Sequence, residues 1–137
     1  MSGNILDRYA PRVADSAKKP AEEVGVMDDL GAFGLLRGVQ DRSLMLEMRL
    51  ANGNSVAFSY SYLVQASFDP SVGMILLFGG KRVTIAGSNL NAEFRPGIRL
   101  YEAMLRHRVP WVRETDRHDQ LQAPAGSIII DSIDVSE

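Results

Sequence analysis

Residues 44–86 alternate apolar and polar side chains in short runs broken by turn residues, and that period of two restricts the chain to a fold built on antiparallel strands. Leu44, Leu46, Met48 and Leu50 alternate with Met45, Glu47 and Arg49, the pattern of a strand with one buried face. Asn52-Gly53 interrupts the run. Both residues tolerate the positive φ of a type I′ turn, so a hairpin is expected, with Val56, Phe58 and Tyr60 on the return strand. Tyr62, Val64, Ala66 and Phe68 repeat the alternation, which predicts that the second and third runs form one long strand bent around residues 59–61.

Asp69-Pro70-Ser71-Val72-Gly73 reads as a turn, because Pro presets φ and Gly permits the sharp end. Met74-Ile75-Leu76-Leu77-Phe78 is apolar on both faces and predicts a central strand covered from both sides. Gly79-Gly80 makes the next turn, after which Val83 and Ile85 alternate with Arg82 and Thr84. No segment between these runs is long enough for a crossover, so neighbours are expected to pair antiparallel in meander order.

Further on, Pro96 suits the first turn of a helix, where its missing N–H is not needed. Ile98, Tyr101, Met104 and Leu105 would share the face that packs on the sheet, and Pro110 is expected to stop the helix. The expected class is therefore α+β, a small antiparallel β-meander or partly open barrel of about five to six strands with one C-terminal helix packed on it.

Four segments are expected. Residues 1–29, with no sustained apolar face, read as a mobile arm. Residues 30–113 form the meander and helix. The apolar positions of 30–39 could make a short amphipathic helix, although its three glycines would each cost about 1 kcal/mol there, and a short extended segment entering the sheet is the competing reading. Within it, Gly31-Ala32-Phe33-Gly34 has the Gly-x-x-Gly spacing of a KH loop but lacks the flanking helices and basic residues. Residues 114–126 read as a polar linker, and 127–135 as a β-branched strand that adds to a sheet edge of its own chain or of a neighbour.

The composition narrows the chemistry. The chain has no cysteine and two histidines, His107 and His118, which leaves no thiolate site and little for zinc. No run is apolar enough for a membrane span or a secretion leader, so a cytoplasmic protein without membrane contact is expected. Nucleotide-binding, hydrolase-elbow and zincin motifs are absent, and no cofactor is expected. Glu47 and Glu102 are the acids of the folded part that could pair for acid–base work, and both are expected on solvated faces.

Charge is partitioned along the chain. Residues 42–113 carry nine Lys/Arg against four Asp/Glu, whereas 114–137 carry six acids against one Arg. The basic part is rich in arginine, whose planar fork suits phosphate and carboxylate. Arg95, Arg99, Arg106, His107, Arg108, Arg113 and Arg117, with Trp111 among them, form a basic cluster, of which Arg99, Arg106, His107, Arg108, Arg113 and Trp111 are the candidate anion-binding set; pairing of the arginines with Glu93, Glu102 and Glu114, or with the acidic tail, is the alternative. Trp111 is expected as a lid on the core. A domain of this size is marginal alone, and Ile128, Ile129, Ile130 and Ile133 are the candidate oligomer contacts. Together these features predict a non-catalytic interaction module acting as a homo-oligomer, a homodimer in the simplest case, or engaging another protein partner. RNA or polyanion binding, and a small-ligand carrier or unrecognised enzyme, are the alternatives.

Overall fold

The computed structural model describes residues 26–137, so all of the expected arm but its last four residues lies outside the described residues. Met27–Asp29, taken above as the end of that arm, is strand β1. It pairs antiparallel with β2 (Gly34–Leu36). Gly31, at φ +91°, makes the turn between them, and Phe33 is fully buried.

Two larger sheets enclose the core. In the first, β3 (Met45–Arg49) pairs antiparallel with β4 (Ser55–Ser59), Leu46 and Met48 pointing inward. The Asn52-Gly53 hairpin forms, although not as a type I′ turn: only Gly53 takes positive φ, and the loop closes through Gly53 N to Leu50 O and Leu50 N to Asn54 O. The chain then bends through a 3-10 turn at Tyr60–Tyr62 and enters the second sheet as β5 (Leu63–Asp69). β6 (Gly73–Phe78) and β7 (Lys81–Ser88) follow as antiparallel neighbours. A bulge between Leu63 and Gln65 changes the register. Ala66 and Phe68 therefore pack on the core, while Tyr62 and Val64 turn out.

β8 (Glu93–Arg95) and β9 (Ile98–Arg99) form a hairpin whose turn is Pro96-Gly97, with Gly97 at φ +80°. Pro96 therefore does not open a helix. Helix α1 is the short Leu100–Leu105, and it buries Leu100, Ala103 and Met104 while Leu105 is exposed. Its end is set before Pro110 by His107, which takes the left-handed conformation at φ +59°. Arg108 N bonds Ala103 O and His107 N bonds Met104 O, the paired bonds of a Schellman stop with histidine in the place usually held by glycine.

β10 (Trp111–Arg113) runs parallel beside β3, and α2 (Arg117–Gln122) folds within the segment expected as a linker. Asp116 caps α2 by accepting from Asp119 N at 2.8 Å. The last strand, β11 (Ile129–Ser136), pairs antiparallel with β7 of the same chain. The two sheets meet where Thr115 N donates to Ile130 O and the Glu114 carboxylate accepts from Ile133 N.

The expected single meander of five to six strands with one C-terminal helix is thus corrected. Among the described residues the chain is mostly strand, with eleven strands in four sheets and two small helices. Five of these strands have three residues or fewer, too short to display a period of two. Pairings such as β10 with β3 depend on contacts between distant segments that no local pattern encodes.

Candidate functional site

Three surfaces could carry a function. The first is a groove between the β1–β2 hairpin, the β8–β9 hairpin and α1, made of two depressions of about 220 and 380 Å³ that share Ile98 and Arg108. Arg99 and Arg106 line one, and Arg37 and Arg95 line the other. Arg108 is held in place: Nη2 donates to Leu36 O at 2.8 Å and to Arg37 O at 3.2 Å, and Nε also reaches Leu36 O. Arg99 Nη1 donates to Asn91 O at 2.9 Å. Asp28 bridges Arg37 and Arg95 at 2.8 and 3.2 Å, and the Arg37 guanidinium is the main cause that holds its carboxyl below the ordinary aspartate value.

The anion set expected from sequence is therefore divided. Arg99, Arg106 and Arg108 share the groove, whereas His107 faces Tyr60, its ring stacked at 4.4 Å between centroids. Trp111 is 3% exposed on β10, with Arg49 at 4.4 Å from its ring centroid and Arg113 at 5.9 Å. Gly34 makes room for it, since a Cβ there would stand 2.6 Å from Trp111 Nε1. Arg37 lies outside the basic cluster read from sequence, whereas Arg95 belongs to that cluster. Each shares Asp28 as partner, and Arg95 and Asp28 lie 67 residues apart, so only the fold brings them together.

The alternative pairing with Glu93, Glu102 and Glu114 does not occur among the described ion pairs. Glu93 accepts from Gly97 N, and Glu114 accepts from both Ala51 N and Ile133 N. Glu47 is bonded to Arg49 and Ser55, which, Arg49 foremost, lower its carboxyl below the ordinary value; Glu102 lines the groove on α1. The two acids are not brought together by any described bond. No group of three potential metal ligands forms among the described residues.

The second surface is a cleft of about 440 Å³ between the β1–β2 turn, β8, α2 and the start of β11. Leu30, Phe94 and Ile128 give it apolar walls, and Arg113, Thr115 and Asp119 give it polar ones. The candidate oligomer contacts lie here or deeper: Ile128 and Ile129 line the cleft, while Ile130 and Ile133 are buried in the core of their own chain.

The third surface is the outward side of the four-stranded sheet, ordered β11-β7-β6-β5. Met74, Leu76 and Phe78 of the central strand β6 are buried, so the alternate residues Ile75 and Leu77 face outward, where they are half-buried. Beside them on the edge, Tyr62 is 65% and Val64 71% exposed. Neither polar nor apolar periodicity marked these two as surface residues; the bulge did that.

No protein-family model, no curated protein and no solved structure shows significant similarity to the chain. No described helix is long and apolar enough to cross a membrane.

Proposed function

We propose that the protein is a non-catalytic interaction module that associates with a second copy of itself through the outward side of its four-stranded sheet. The observation that carries this reading is the apolar group Tyr62, Val64, Ile75 and Leu77 on and beside an edge strand. Apolar residues gathered at a sheet edge are a common seat of association, because edge backbone groups and apolar surface are satisfied together.

The rest of that face suits a twofold arrangement. Register places Ser67, Ile75, Thr84 and Asp134 in one row and Gln65, Leu77, Arg82 and Ser136 in the next. The charged members are one Arg and one Asp, so two copies related by a twofold axis can set Arg82 of one toward Asp134 of the other without like-charge contact. The Ile128–Ile133 stretch is left out of the interface, because two of its four isoleucines are spent on the core.

The test is the native mass of the double variant Tyr62→Glu, Val64→Glu beside the wild type. Both side chains are exposed, so the fold should survive the change. A variant that is monomeric where the wild type is dimeric supports the reading, and two equal masses contradict it.

A further inference from the structure

The arginine groove has a composition that the self-association reading does not use. Five guanidinium groups, from Arg37, Arg95, Arg99, Arg106 and Arg108, line it against two carboxylates, Asp28 and Glu102. Arg99 and Arg108 are already fixed by backbone carbonyls and retain further N–H donors, so little side-chain freedom remains to be lost when a ligand binds. The Arg106 side chain has no hydrogen-bond or ion-pair partner among the described residues and lies exposed at the rim.

The geometry points to a binding site for a small diphosphate-bearing anion, with one phosphate group in each depression and Arg108 between them. Phosphate matches the two-point donor geometry of arginine, and two depressions sharing one pinned guanidinium suit two linked anionic groups better than one. The larger depression, about 380 Å³, is within the size of a small-ligand pocket. A nucleic acid fits less well. The five arginines of the groove line a recess of limited size, and residues 114–137 carry six acids against one Arg.

Equilibrium dialysis of the full chain against labelled inorganic pyrophosphate at low ionic strength tests the site. Saturable binding of one equivalent is expected. Arg106→Gln weakens it by about tenfold, through loss of a charge-assisted contact. Glu102→Gln removes the rim carboxylate and tightens it by about twofold or more. The opposite signs of the two variants separate a defined site from general attraction to the surface. Absence of binding at millimolar pyrophosphate overturns the proposal, as does an affinity unchanged in Arg106→Gln or weakened in Glu102→Gln. An RNA oligonucleotide that binds more tightly and displaces pyrophosphate overturns it in favour of a nucleic-acid surface.

Discussion

Tyr60 and Val109, 49 residues apart, are joined by a hydrogen bond of 2.6 Å from the phenol to the backbone carbonyl. Tyr60 sits in the turn that carries the chain from one sheet to the other, and Val109 follows the end of α1. Burial is the larger influence on the phenol and pushes its pKa well above the ordinary tyrosine value. The bond thus ties the helix end to the passage between the sheets, inside the core.

Tyr60→Phe should keep the ring and strand the Val109 carbonyl, at a cost of about 1–2 kcal/mol in chemical denaturation. The pH dependence has a definite sign. The folded state holds the phenol proton more tightly than the unfolded chain, so stability is full below the ordinary value of 10.0 and falls as pH rises above it. The Phe variant should lack that part of the alkaline loss.

His107 behaves in the opposite sense. Desolvation against Tyr60, aided by Arg42, lowers its pKa below 6.5, so the unfolded chain binds its proton more readily than the folded one. Stability should be full above pH 6.5 and decline as pH falls from there toward the lowered folded value. Asn tolerates the left-handed backbone at this position, so His107→Asn should fold and lose this dependence. Denaturation midpoints at about pH 7.5 and about pH 5.5, roughly one unit either side of the ordinary histidine value, check it.

Glu114 joins the β3–β4 loop to β11 by accepting from Ala51 N and Ile133 N, both at 2.8 Å. Glu114→Ala removes both acceptors and should destabilise by about 1–3 kcal/mol. Amide exchange should rise first along β11.

Gly34→Ala drives a methyl group into Trp111 Nε1 and Met27 Sδ, at 2.6 and 2.8 Å from the added carbon. The expected cost is about 1–3 kcal/mol, as for overpacking of a filled core. Fluorescence of the sole tryptophan should shift with the displacement of the indole.

The strands from β3 to β7 could be read from sequence because β3, β4, β5 and β7 alternate, β6 is a continuous apolar run, and turns with Asn, Pro or Gly separate all but β4 from β5. The C-terminal strand was equally legible, though its partner was not. Whether Ile130 and Ile133 face their own core or another chain depends on β7 having a free edge, which is a property of the assembled sheet. Removal of residues 127–137 should therefore unfold the protein rather than merely change its mass. Pro96 misled because proline followed by glycine suits a tight turn as well as proline suits a helix start, and Gly97 at positive φ decided the matter. Arg99, Arg106 and Arg108 could be picked out by composition. Arg95 belongs to the same basic cluster, but Arg37 could not be placed with it, since it is Asp28 on a three-residue strand that gathers the two.

Light scattering on the full chain across a concentration series tests the central claim most directly. Self-association through the sheet predicts a mass rising toward twice the 15.1 kDa of one chain as concentration increases. A mass that stays at 15.1 kDa up to the highest soluble concentration contradicts it.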